Sequence, residues 1–341
     1  MARPQEVRCA GGAHRFRFVV KILSAPPASS EDAPHPRPSG RPAGRPLHHG
    51  HRQEARHRTR VLAGKRCRQL FRGVWVSADV ELTFRLLLHA ARLALPRDAV
   101  VSHTSAMRLY GLEPRTGRHP HLEFSTTRTT VTRHVGIVLH RRQRRISTVE
   151  LEGLPVTGPE RTFVDCAGRL TFVELVQLGD WLIHTGRTTF DALTAYALDR
   201  HLHGVRRARR AVTYVRENVE SPMETVIRLL LVFARLPEPR CNVVLLDDDG
   251  RFLGRGDLVL DRWKVLIEYD GWHHERSSAQ RQQDIRRRER IEAAGWVVIV
   301  ITSTDLKRPQ EIAWRVHRAL KARGYTGRPP SMSIMWHRWF A

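Results

Sequence analysis

Acidic residues are scarce in this 341-residue chain: 34 Asp and Glu stand against 58 Lys and Arg, a formal net charge of +24. Such a field repels basic partners and concentrates polyanions, so nucleic acid is the expected partner. Cysteine is scarce as well. Cys9, Cys67, Cys166 and Cys241 are far apart and make no CxxC pair, which argues against a disulfide framework or a cysteine zinc site and suits a reducing cytoplasm. Long apolar runs are missing. No run reaches the ~18 residues of a membrane span, and "FRFVVKIL" is too short for a signal sequence, so a cytoplasmic chain without a membrane partner is expected. What is present is 41% hydrophobic residues, enough to bury a core in each of two domains.

Residues 1–60 are rich in Pro, Arg, His and Gly and show no apolar periodicity, so they read as a disordered basic leader. His48, His49 and His51 lie there without a second spaced ligand set and read as a solvated tract. Pattern begins near Val61. "RQLFRGVWV" reads as a strand or wing, and "VELTFRLLLHAARLAL" as an amphipathic helix with Leu82, Leu86, Ala90 and Leu93 on one face. "SHTSAMRLYGL" reads as a short helix, "HLEFSTT" and "GIVLHRR" as strands. Helices are then expected at "GPERTFVDCA", "FVELVQLGDWLI", "FDALTAYALDR" and "GVRRARRAVTYV". These place a mixed α+β domain over 61–217.

A second domain is expected over 218–326, followed by a tail at 327–341. Ser221, Pro222 and Glu224 form a helix start with the spacing of a capping box. The order that follows is strand "CNVVLL", strand "GDLVL", strand "KVLIEYDG", a charged helix from Ser278, strand "WVVIVIT" and a final helix, an α/β order. Two of these strands carry carboxylates where apolar residues are expected. Side chains alternate along a strand, so Glu268 and Asp270 point the same way, and a hairpin around "DRWK" brings Asp257 opposite the end of the second strand. Three like charges at one sheet edge call for a cation, and all-oxygen ligands suit Mg²⁺ or Mn²⁺.

The stretch resembles the PD-(D/E)XK nuclease superfamily, and within it the domains related to the very-short-patch-repair (Vsr) endonuclease. The resemblance implies a restriction-endonuclease-like α/β/α fold for the C-terminal domain. Asp257 matches the first Asp of the motif, Glu268 the acidic residue of the second strand, and Glu224 the acidic residue of the leading helix, where a plain cap is the alternative reading. Asp270 stands where the superfamily carries Lys, a departure shared in kind with the Vsr-like branch. "GWHH" resembles that branch's Trp-His element, which makes His273 or His274 the implied base. Arg281, Arg287 and Arg288 on the charged helix are expected either to face the DNA phosphates or to form a solvated face. Upstream, "LFRGVWV", "AVVSHTSAMRLYGL" and "GPERTFVDCA" resemble the AbiEi-type antitoxins, which implies an N-terminal DNA- or protein-binding region.

Two functions follow as expectations. The first is a metal-dependent DNA endonuclease of the Vsr-like type, in defence or repair. The second is a non-catalytic, antitoxin-like DNA-binding transcriptional regulator whose nuclease-like domain only grips the duplex.

Overall fold

Alternation of apolar with polar residues, and three-to-four-residue spacing between the strands, give a mixed α/β chain. The computed structural model describes residues 3–8, 15–20, 67–114, 121–143, 146–271 and 278–340. Its contacts divide into two units: Met1–Ser105 with His119–Thr157, and Ala106–Arg118 with Gly158–Ala341. The domain boundary expected at 217/218 falls inside the second unit. No helix among the described residues is long and apolar enough to cross a membrane.

The first unit holds two sheets. Strands β1 (Arg3–Arg8), β2 (Arg15–Val20), β3 (Cys67–Phe71) and β4 (Val74–Ser77) pair antiparallel in the order β1-β2-β4-β3. Two stretches of the expected leader are therefore strands: "RFRFVV" alternates with a period of two, a pattern that the surrounding Pro and Arg obscure. The rest of 1–60 lies outside the described residues. Gly73, at φ 83, makes the turn of the β3–β4 hairpin where a side chain would be strained. Helix α1 (Phe84–Ala94) is capped by the Thr83 hydroxyl, which accepts from the Leu86 amide, and buries Leu86, Leu88, Ala90 and Ala91. Leu82, read as part of that stripe, precedes the cap and is exposed. Helix α2 (His103–Leu109) begins in this unit. The second sheet has the order β7-β6-β5-β9-β8, from β5 (Val100–Val101), β6 (Leu122–Thr126), β7 (Ile137–Arg141), β8 (Thr148–Leu151) and β9 (Leu154–Thr157). Its β6–β7 and β5–β9 pairs are parallel.

The second unit opens with four helices, α3 (Pro159–Cys166), α4 (Phe172–His184), α5 (Phe190–Asp199) and α6 (Val205–Val212). Thr171 and Glu174 close a reciprocal capping box at the start of α4. Helix α7 (Pro222–Phe233) leads into a sheet of order β10-β11-β12-β13, made by β10 (Arg240–Leu246), β11 (Phe252–Leu260), β12 (Val265–Asp270) and β13 (Val297–Thr302). The first three strands are antiparallel, and β13 joins β12 in parallel after the crossover helix α8 (Ser278–Ala293). Helix α9 (Pro309–Ala322) and helix α10 (Ile334–Phe340) follow.

Alternation sorts this sheet into two faces. Leu258, Leu260, Val265 and Ile267 pack with Ile227 and Leu231 of α7, Ile312 and Val316 of α9, and Trp336 of α10. Val259, Leu266 and Leu245 pack instead with Ile291 of α8. Helices thus cover both faces. Trp336 corrects the expectation of a tail at 327–341: its side chain is fully buried and its indole N–H donates to the Leu230 carbonyl at 3.0 Å. An isolated amphipathic "IMWHRWF" is too short to read as a helix, and tertiary burial decides it.

Candidate metal and nucleic-acid sites

The register of β11 against β12 pairs Leu258 with Ile267 and Val259 with Leu266. One step further in the same register, Asp257 faces Glu268, and the Asp257 carboxylate accepts the Tyr269 amide at 3.1 Å. Because Val259 and Leu266 face α8, their neighbours two residues along, Asp257 and Glu268, open on that side also. Burial pushes the Asp257 carboxyl up to about 6, against the Tyr269 amide, which favours the anion. The charges of Glu224 and Glu268 push the same way, and Arg287 opposes them.

Glu224 is 5% exposed at the start of α7. The Ser221 hydroxyl accepts the Glu224 amide at 3.2 Å, so the cap exists, yet the reciprocal half of the expected capping box does not form. The Glu224 carboxylate instead takes the Glu220 amide at 3.0 Å and the Asn242 side-chain amide at 2.5 Å. Asn242 on β10 sits at φ 51, in the left-handed region.

Glu268 does not stand open. Arg287 reaches from α8 and donates to its carboxylate at 2.8 Å, and donates as well to the Arg255 carbonyl. Gly254 makes the passage: a Cβ there would lie 2.8 Å from the Arg287 Nε. Arg287, expected on the phosphates, is thus used inside the site. Arg288 is half-buried with its Nε enclosed and without a hydrogen-bond partner. Arg281 lies in α8, and its side chain, like all of His273 and His274, falls outside the described residues.

Asp270 is half-buried at the end of β12, in register with Thr302 of β13. It lies two residues beyond Glu268, about 7 Å along the strand. Among the described residues, the single trio whose ligand atoms lie within 4.8 Å of one another is His103, Glu123 and His140. Asp257, Glu268 and Asp270 do not form such a trio at that spacing, and the strand register sets Asp257 opposite Glu268. A pair still fits a hard cation such as Mg²⁺, which keeps its waters and takes one or two carboxylates plus substrate phosphate. Burial first, and the charges of Glu224 and Glu268 after it, raise the Asp257 carboxyl, with Arg287 offsetting them in part.

That charge has a measurable cost. Asp257 titrates at about 6 when folded, against an ordinary value of 3.8. Its folded value is the higher, so its contribution favours folding below about pH 4 and is lost as pH rises through about 6. Without added divalent ions, Asp257→Asn should therefore melt higher than wild type at pH 8, by on the order of 1–2 kcal/mol, and no higher at pH 4. An Asn variant that melts at or below wild type at pH 8 would contradict a strained carboxylate.

The trio in the first unit has no counterpart in the sequence reading. His103 is 5% exposed at the start of α2, with φ 53. Its Nδ1 meets the Ser102 hydroxyl at 2.9 Å, and its Nε2 accepts from Arg142 at 2.9 Å. His140 of β7 meets Glu123 of β6 through its Nε2 at 3.2 Å, and the two imidazoles stack with centroids 3.7 Å apart. The other Glu123 oxygen accepts from the Thr104 amide at 3.0 Å and the Thr104 hydroxyl at 2.5 Å. Burial opposes ionisation of Glu123, but the hydrogen bonds from His140 and Thr104 outweigh it and hold the carboxyl at about 2. These ligands come from a helix start and two strands, so no fixed spacing announces them. The legible signal was a Glu inside the buried alternation of "HLEFSTT".

No model of a known protein family matches the chain. It is 25% identical over 251 residues to uncharacterized protein MT2308 of Mycobacterium tuberculosis (strain CDC 1551 / Oshkosh), spanning 73% of this chain and 90% of that protein. Uncharacterized protein Rv2248 of strain ATCC 25618 / H37Rv matches with the same identity and coverage. Among solved structures, the crystal structure of RV2827C protein from Mycobacterium tuberculosis is 16% identical, with a TM-score of 0.34, over 47% of this chain and 64% of that one.

Proposed function

We propose that the chain is a metal-dependent DNA endonuclease of the PD-(D/E)XK, Vsr-like type, acting through its C-terminal sheet. The observation that carries the reading is Asp257: a carboxylate held in a buried strand opposite Glu268, within reach of Glu224's charge, at a cost in stability. A carboxyl raised by burial beside other carboxylates at a sheet edge is a candidate functional group. Two further features support it. The order α7, three antiparallel strands, α8, and a parallel β13 agrees with a restriction-endonuclease-like α/β/α core. The +24 charge agrees with a nucleic-acid substrate.

In this reading Asp257 and Glu268 hold Mg²⁺ or Mn²⁺, with Glu224 fixing the Asn242 and Glu220 side of the site. When bound, the ion supplies an acidified water and compensates charge on the phosphate. Asp257 keeps its orientation through the Tyr269 amide. Arg287 exchanges its Glu268 bond for a phosphate oxygen, Arg288 and Arg281 line the same helix, and His273 or His274 takes the proton. Asp270, at the Lys position of the resemblance, orients water from the strand end. The first unit positions the protein on DNA or on a partner.

One observation favours a second reading, the non-catalytic regulator. Arg287 already compensates Glu268, and a gripping domain needs no more. Both readings require DNA binding that falls steeply with salt, because counterions are released from neutralised phosphates. Binding measured by fluorescence anisotropy should weaken by about 10²-fold or more between 50 and 200 mM salt. A flat dependence would remove nucleic acid as the partner. Cleavage that requires a divalent ion and stops with EDTA separates the enzyme from the regulator.

A further inference from the structure

We propose that His103, Glu123 and His140 form a second metal site, for a divalent transition ion of the Zn²⁺ class, independent of the carboxylate pair. Two imidazoles and one carboxylate are the donor set such ions take, whereas Mg²⁺ prefers oxygen alone. Bonds of ~2.0 Å in tetrahedral geometry put neighbouring ligand atoms ~3.3 Å apart, and His140 Nε2 stands 3.2 Å from the Glu123 oxygen, to which it donates a proton that an ion displaces. All three ligand atoms lie within 4.8 Å of one another, and binding turns the stacked His103 and His140 rings so that both lone pairs converge on the ion.

The surroundings orient each ligand. Thr104 holds one Glu123 oxygen through two hydrogen bonds and directs the other towards His140. Arg142 can only donate, so His103 Nε2 accepts and Nδ1 carries the proton, which goes to the Ser102 hydroxyl. Ser125 in turn donates to Ser102. This chain fixes the tautomer that presents the Nε2 lone pair, as outer partners of metal-binding histidines do. His103 is also kept at a positive φ in a buried place, a conformational cost that a packing role does not require. Arg142 occupies the Nε2 lone pair in the metal-free chain, and it is the group that the ion displaces.

The full chain, stripped with EDTA and gel-filtered after incubation with Zn²⁺, is to be assayed for bound zinc by mass spectrometry. Co²⁺ absorption serves as the second readout. Wild type should retain one more equivalent than His103→Ala, Glu123→Gln and His140→Ala. The histidines at 48, 49 and 51 contribute equally to all. Arg142→Ala should bind zinc about tenfold more tightly, because it removes both a competitor for the lone pair and a like charge. It keeps the test open should the ligand variants fail to fold by circular dichroism. Equal zinc in wild type and a folded His140→Ala variant, or an Arg142→Ala affinity no higher than wild type, would overturn the site.

Discussion

Asp257→Asn and Glu268→Gln should each lower DNA cleavage by about 10³-fold or more, the scale of losing a group that stabilises developing charge. A neutral amide is a poor ligand for a hard cation, and no neighbouring carboxylate replaces it: Asp270 sits two residues along the strand and Glu224 is held by Glu220 and Asn242. DNA affinity without metal should stay equal or rise slightly, since each change removes a negative charge that faces phosphates. That opposition of rate and affinity is the diagnostic, because a folding defect lowers both. The Asp257 variant should also be the more stable protein at pH 8. His273→Ala should slow cleavage by about 10²-fold if it is the base, with His274→Ala beside it as the comparison.

The second large effect concerns stability. Arg228 of α7 is fully buried and donates to Asp180 of α4 at 2.9 Å, to the Tyr214 carbonyl at 2.9 Å and to Glu238 at 3.0 Å. Asp180, 1% exposed, also accepts the Arg216 amide at 2.8 Å and the Thr225 hydroxyl at 2.7 Å. Arg228→Met would leave Asp180 as an uncompensated buried charge, a loss of about 3–5 kcal/mol. Thermal melts should fall by roughly 10 °C or more. The double change Arg228→Met with Asp180→Leu should recover part of that, since neither charge then remains. A melt within ~2 °C of wild type for Arg228→Met would show that the network contributes little.

The same residues explain what sequence reading reaches. The strands of the C-terminal sheet were legible because one face and then the other is apolar, and Ser221-Pro222 marks a helix start by local chemistry alone. The pairing of Asp257 with Glu268 was legible from strand alternation and one short connection. The Arg287 bond to Glu268 was not, because it depends on how a crossover helix rests on the sheet and on the space left at Gly254. Arg228 looked like one arginine among many, yet it is spent inside the fold, and half-buried Arg207 and Arg209 hold backbone carbonyls. His103, Glu123 and His140 meet only through the α2 start and the parallel β6–β7 pair, contacts that no local pattern encodes.

The central claim is that the carboxylate pair hydrolyses DNA, and strand scission by the purified full chain tests it most directly. Supercoiled plasmid and single-stranded DNA are incubated with wild type and with Asp257→Asn, in Mg²⁺, in Mn²⁺ and in EDTA. The account predicts nicked or linear product from wild type with Mg²⁺ or Mn²⁺, none in EDTA, and none from Asp257→Asn under any condition. Tight, salt-sensitive DNA binding by wild type with no cut in any DNA form under any divalent ion would contradict it and leave the regulator standing.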